Sequence, residues 1–236
     1  MRLKIAHDAG SAANIAAAEV ARTCADAVAL RGRALVALSG GETPWLMLRE
    51  LCHFDLPWQK IFVAQVDERV APRGDAVRNL TRLEQILVRE GPLPSGHLLP
   101  MPVESADLAT AATDYQASLE ACSGAPLQLD LLQLGLGTDG HTASLVPGDP
   151  VLKTNDRDVA VTREYQGLRR MTLTLPAINR ARRRLWLVTG AAKNTRLSEL
   201  LAGTGDVPAI AVSRDSAVVI ADESAAAGLK AGPYPG

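Results

Sequence analysis

Leu131-Leu132-Gln133-Leu134-Gly135-Leu136-Gly137-Thr138-Asp139-Gly140-His141-Thr142-Ala143-Ser144 is the stretch whose reading decides the fold. The apolar run at residues 129–134, interrupted only by Asp130 and Gln133, predicts a buried strand. It breaks into three glycines, an aspartate, a histidine and two hydroxyl residues. Open α/β sheets place ligands at the carboxyl ends of such strands. A histidine delivered there on a glycine-rich turn is suited to proton transfer near neutral pH. His141 is therefore the expected catalytic centre, and the rest of the chain its scaffold.

Gly135, Gly137 and Gly140 also match G-x-G-x-x-G, with Asp156 and Asp158 at the distance a dinucleotide fingerprint requires. Asp139 would bring a negative charge close to a pyrophosphate, and Pro147-Gly148 leaves little room for the obligatory helix. A catalytic loop is the better reading.

Working outward, residues 34–38 predict a buried strand running into Ser39-Gly40-Gly41-Glu42-Thr43-Pro44. Paired glycines admit a ligand close to the backbone, and Pro44 suits a first helical turn, here of a helix over 45–52. Exposed amides, the helix dipole and the hydroxyls of Ser39 and Thr43 make this an expected phosphate site rather than a bare tight turn. A strand over 60–66 ends in Asp67-Glu68-Arg69. Arg69 can fork onto phosphate oxygens, and Asp67 or Glu68 can accept sugar hydroxyls or orient His141. A solvated turn with a local ion pair is the competing reading.

Helices are expected over 11–30, with Ile15, Ala18, Ala21, Ala25 and Val28 on one face, and over 79–89 and 105–122. Strands are expected at 3–6, 169–175, 185–189, 210–213 and 218–221; Asp222 would cap a final helix. Residues 155–158 read as a surface turn. Lys193, opposing the dipole of a helix's first turn, hints at an anionic ligand. This alternation predicts one three-layer, Rossmann-like α/β domain over residues 1–236, with a mainly parallel sheet, helices on both faces, room for a small lobe and a loose tail from 232.

At 236 residues, 47% hydrophobic and 22% charged, the chain can bury a substantial core. A net charge of −1 gives no steer toward nucleic acid or anionic membrane. Cys24, Cys52 and Cys122 form neither a disulfide framework nor a zinc pattern and are expected to be buried thiols. The amino terminus turns polar too soon for a signal peptide, and no apolar run spans a bilayer, so a cytoplasmic location is expected. Oligomeric state is not legible.

Taken in order, SGGETP (39–44), DERVAP (67–72) followed by Asn79, GLGTDGHTASLVPG (135–148), RRMTLTLPAIN (169–179), GAAK (190–193), VPAIAV (207–212) and DESAAAGL (222–229) resemble the 6-phosphogluconolactonase family, within the group that includes glucosamine-6-phosphate deaminases. The resemblance covers nearly the whole chain. It implies the α/β sheet of the deaminases and hydrolysis of 6-phospho-D-glucono-1,5-lactone to 6-phosphogluconate, the second oxidative step of the pentose phosphate pathway, without cofactor or metal. It carries a general base onto His141 and phosphate binding onto Ser39, Gly40, Gly41 and Thr43, with Arg69 and Lys193 as basic partners. Arg170 is a further candidate, with Arg169 beside it; Asn79 and Gly140 complete the expected substrate contacts. Which of Asp67, Glu68 and Asp139 orients His141 is left open.

Deaminases of this group resemble D-G-H-I-A-F-N-E, and their closing glutamate falls here on Val146, which cannot transfer a proton. Val146 before Pro147 and Arg78 before Asn79 also depart from the lactonase pattern. Ser144 lacks a G-x-S-x-G elbow and is read as a structural or water-orienting hydroxyl. The rivals are a sugar-phosphate deaminase, a dinucleotide-dependent oxidoreductase and a non-catalytic sugar-phosphate sensor.

Overall fold

A computed structural model describes residues 1–234. In chain order its strands are β1 (Arg2–Ala6), β2 (Ala34–Leu38), β3 (Ile61–Gln65), β4 (Asp67–Arg69), β5 (Leu98–Leu99), β6 (Leu131–Leu134), β7 (Val159–Val161), β8 (Arg170–Leu173), β9 (Arg184–Val188), β10 (Ala217–Asp222) and β11 (Gly232–Pro233). The α-helices are α1 (Ala9–Arg31), α2 (Glu42–Leu51), α3 (Asn79–Leu83), α4 (Leu108–Ser123), α5 (Leu175–Arg180) and α6 (Asn194–Ala202). Eight strands form one sheet in the order β11-β1-β10-β9-β6-β2-β3-β5, and β4-β8-β7 form a second, antiparallel sheet. Within the large sheet every pairing is parallel except β11 with β1.

The parallel strands are apolar on both faces because both are covered. In β2, Ala34, Val36 and Leu38 enter one core with α1 and α2, while Leu35 and Ala37 enter the other with α4, α6 and the small sheet. The expected three-layer α/β architecture is thus the observed one. From β2 the chain builds toward β3 and β5; from β6 it builds toward β9 and β10. The order reverses between the adjacent strands β2 and β6, which brings the SGGETP and GLGTDGH loops side by side at a switch point.

Local details differ from the sequence reading for identifiable reasons. Asp8 caps α1, its carboxylate accepting the Ser11 N–H at 2.7 Å, and Gly32 closes the helix in the left-handed region at φ 78°. Of the five residues expected on the buried face only Ala21 is buried; the inner stripe is Ala12, Ala16, Val20, Cys24 and Ala27. In so alanine-rich a helix the polar residues alone mark the outside, and small side chains let the helix lie close on the sheet. Residues 67–69 are not a charged turn but a strand of the small sheet, and Val66 joins the sheets: its N–H donates to the Leu38 carbonyl, and its carbonyl accepts the Leu173 N–H. The 79–89 helix widens into π-helical turns over Glu84–Arg89.

The expected strand at 210–213 is a 3₁₀ turn over Pro208–Ala211, because Ala209 N–H is drawn to the Gly140 carbonyl at 3.1 Å. The final helix is a series of turns whose start Asp222 caps, accepting the Ala225 N–H at 2.8 Å. Asp158, expected in a surface turn, is buried and ion-paired with Arg180. The tail expected to be loose from 232 instead pairs Gly232–Pro233 with β1, and Tyr234 N–H reaches the Met1 carbonyl at 2.9 Å; residues 235–236 of that expectation lie outside the described residues. Only Cys24 is fully buried; burial pushes its thiol up to about 12 and that of half-buried Cys52 to about 11. No described helix is long and apolar enough to cross a membrane.

Candidate functional site

The loop after β2 is laced to β6 by Gln133, which the sequence reading passed over as an interruption of an apolar run. Its side-chain oxygen accepts the Ser39 N–H at 3.0 Å, and its carbonyl accepts the Ser39 hydroxyl at 2.9 Å. Ser39 is therefore buried and already donating. Beyond it Gly41 precedes α2, whose ten residues aim their amino terminus into a cleft of about 350 Å³. The Thr43 hydroxyl meets that of Thr189, past the end of β9, at 2.6 Å. In the first turn of α2 the N–H groups of Glu42 and Thr43 have no helical partners, Pro44 has none to offer, and these residues line the cleft, an arrangement that favours anions.

The loop after β6 folds on itself. Gly137 N–H donates to the His141 carbonyl at 2.8 Å, Gly140 N–H to the Gly137 carbonyl at 3.1 Å, and the Thr142 hydroxyl to the Gly135 carbonyl at 2.9 Å. His141 Nδ1 lies 2.6 Å from Asp139 Oδ1. A carboxylate there fixes Nδ1 as the protonated nitrogen and leaves Nε2 as the free base. Burial raises the Asp139 carboxyl, but the backbone N–H and ring of His141 outweigh it and hold the group below the ordinary carboxylate range. A Cβ on Gly137 would stand 2.2 Å from His141 Nδ1, inside this contact. Gly140, at φ 84° and packed on Val207, shapes the turn, and its N–H is spent within the loop. No helix follows, so the loop lacks the structure of a dinucleotide fingerprint.

The small sheet supplies charge. Arg69 and Arg170 are directly paired across β4 and β8. Like charges so placed repel, and burial together with Arg69 lowers the pKa of the Arg170 guanidinium. Arg170 is 6% exposed, while Arg169 is exposed and turned away. Lys193, at the end of the turn after β9, is likewise lowered by burial. Among the described residues none of these three cations has a carboxylate ion pair, and all line the cleft with His141. Asn79 donates to the Asp67 carbonyl at 3.0 Å and accepts from Arg69 at 2.7 Å. Asp67 lines the cleft and accepts the Ser144 hydroxyl at 2.5 Å, which gives Ser144 a structural task.

Glu68 is placed otherwise. It is completely buried, accepts from Gln65, from the N–H groups of Arg69, Asn79 and Leu80, and from Arg78 at 3.0 Å. It organises the start of α3 and does not reach the cleft. Of the three carboxylates left open, only Asp139 touches His141. The sequence reading also missed Tyr165, whose hydroxyl donates to Asp139 Oδ2 at 3.0 Å. The signal for it is Gln166-Gly167, a hairpin-turn pair directly after an aromatic residue. Val146, the position of the deaminase glutamate, is buried.

Comparison with known proteins identifies the family to which this sequence and fold belong. The chain is 39% identical over 186 residues to a 6-phosphogluconolactonase of Synechocystis sp., covering 76% of each chain. It is 35% identical over 218 residues to a 6-phosphogluconolactonase of Mycobacterium tuberculosis, covering 86% of this chain and 88% of that one. The crystal structure of 6-phosphogluconolactonase from Thermotoga maritima superposes with a TM-score of 0.83 at 25% identity, covering 94% and 98% of the two chains. The family model for glucosamine-6-phosphate isomerases/6-phosphogluconolactonase matches residues 7–220. On sequence and fold, the chain belongs to the glucosamine-6-phosphate isomerase/6-phosphogluconolactonase family.

Proposed function

We propose that this chain hydrolyses 6-phospho-D-glucono-1,5-lactone to 6-phosphogluconate, with His141 as general base. The observation that carries the reading is the Asp139–His141 contact at 2.6 Å on the wall of a cleft lined by three cations without carboxylate partners. A phosphorylated lactone needs both halves of that arrangement. The amino terminus of α2, Lys193 and the Arg69–Arg170 pair hold the phosphate, and their field also favours the oxyanion that develops at C1.

His141 Nε2 takes a proton from water as the oxygen attacks C1. The tetrahedral intermediate collapses with cleavage of the C1–O5 bond, and the imidazolium returns the proton to O5. Asp139 holds the ring in the required tautomer and stabilises its charged form. General-base assistance of this kind supplies about 10²–10⁴-fold, and the remote phosphate aligns the carbonyl with the water. Buried Val146 in place of a proton-transferring glutamate speaks against amine chemistry at the same site.

The test follows freshly made lactone by NMR with wild type and His141→Ala. Rapid loss with wild type, and loss near the spontaneous rate with a variant that still binds 6-phosphogluconate, is the expected result. A wild-type rate equal to the buffer blank overturns the reaction; equal rates for the two proteins overturn the role of His141.

A further inference from the structure

We propose that Tyr165 is a positioning residue that couples the Asp139–His141 pair to the anion-holding Arg170; the proposal rests on the lactonase reading of the same site. Three contacts converge on this one side chain. Its hydroxyl donates to Asp139 Oδ2 at 3.0 Å, the oxygen that His141 leaves free. Its ring meets the His141 ring edge-on, with centroids 5.8 Å apart and planes at 65°. The Arg170 guanidinium lies over its face, 5.0 Å from the centroid.

The backbone is shaped to hold it there. Tyr165 and Leu168 exchange both hydrogen bonds, at 3.0 and 3.3 Å, around a two-residue turn. Gln166 and Gly167 both have positive φ, 52° and 79°, the mirror-image turn that matches strand twist. Gln166 adopts that conformation against its side-chain preference, and its amide bridges the two neighbours: it donates to the Tyr165 hydroxyl and accepts from Arg170, each at 3.4 Å. With one Asp139 oxygen on His141 and the other on Tyr165, the carboxylate cannot rotate, and the imidazole it orients is fixed from both sides. Filling the anion site pulls on Arg170, which is stacked on the same ring. Tyr165 thereby makes chemistry sensitive to whether the phosphate is seated.

The hydroxyl and the ring have separate tasks, and two variants separate them. Tyr165→Phe keeps the ring; kcat is expected to fall about 3- to 10-fold, a part of the worth of one charge-assisted hydrogen bond because Asp139 keeps its contact with His141, with KM within about twofold. Tyr165→Leu also removes the face under Arg170 and is expected to raise KM several-fold. In an Asp139→Asn background Tyr165→Phe should change kcat no further, since the two act through one contact.

The Nδ1 proton of His141, followed by NMR, gives a readout independent of turnover. Losing the Tyr165 donor leaves Asp139 more basic, so it draws harder on that proton, whose resonance should move downfield in Tyr165→Phe. The charged and titratable groups around this ring are Asp139 on its own loop, Tyr165 from the hairpin between β7 and β8, Arg170 from β8, Asp67 and Arg69 from β4, Lys193 after β9, and the Arg196–Glu199 pair of α6, whose Arg196 donates to the Thr138 carbonyl. Additive losses in the double variant, or an unmoved His141 Nδ1 proton in Tyr165→Phe, overturn the proposal. Should wild type fail to hydrolyse the lactone, the reaction is wrong, and the Nδ1 proton signal still decides the coupling.

Discussion

Arg170→Met should make the ligand-free protein more stable and the enzyme worse. Arg170 is nearly buried, its Nε has no hydrogen-bond partner, and Arg69 stands directly across the strand pair. An unpartnered buried donor costs about 1–3 kcal/mol, and a like-charge cross-strand pair about 0.2–1 kcal/mol. The variant forfeits the stacking on Tyr165, about 0.5–1 kcal/mol, while an unbranched methionine fills the space with little strain. The net gain is about 1–2 kcal/mol, or roughly 2–8 °C in Tm for a chain of this size. Binding moves the other way. Losing a forked guanidinium contact to phosphate weakens 6-phosphogluconate about 100-fold. At a ligand concentration about 100 times the wild-type Kd, ligand stabilises wild type by about 2.7 kcal/mol and the variant by about 0.4 kcal/mol. Thermal unfolding in phosphate-free, low-salt buffer, with and without 6-phosphogluconate, reads both terms. A variant that melts below wild type without ligand, yet is protected equally by it, would refute the assignment of Arg170 to the anion.

Gly40→Ala places a Cβ 1.9 Å from Asn79 Oδ1 and 3.0 Å from Trp45; displacing the amide that joins Asp67 to Arg69 should cost about 1–3 kcal/mol and raise KM, read by melting and steady-state kinetics. Glu68→Gln should lower stability by about 1–3 kcal/mol, because Arg78 loses its buried partner but keeps Glu104 at 2.6 Å, and activity should follow the folded fraction measured by circular dichroism. Asp139 has a lowered folded-state pKa, so the stability it contributes is fully present above its unfolded value, near pH 4, and disappears as pH falls through the folded one. Asp139→Asn should therefore flatten the acid limb of the Tm–pH curve, and a slope identical to wild type would contradict the pairing with His141.

The two glycine-bearing loops and the strands feeding them could be read because their residues act locally. Apolar runs end in glycines at the carboxyl ends of β2 and β6, and sheet topology then brings them together. The small sheet could not be read in that way. Asp67-Glu68-Arg69 has the composition of a solvated turn, and only pairing with β8 makes it a strand and buries Glu68. The 207–212 segment has a strand's composition but serves as a brace for Gly140. Tyr165 reaches Asp139 across 26 positions, a distance that no local spacing rule spans. Arg169 and Arg170 are chemically identical in sequence; the pleat of β8 alone sends one outward and the other into the cleft.

Both borders of the large sheet are two-residue strands, β11 and β5. One contains Pro233 and the other is followed immediately by Pro100. Proline has no N–H to offer a further strand, so each border ends on residues that cannot extend the ladder, over Arg2 and Leu3 at one side and Val63 and Ala64 at the other. Shortening the chain at residue 231 would uncover Arg2 and Leu3 and turn the whole of β1 into an open edge, with the charges of Arg2 and Lys4 left as its guard against pairing with another copy. Gly232 and Pro233 thus bear on how well the protein keeps rather than on how fast it turns over.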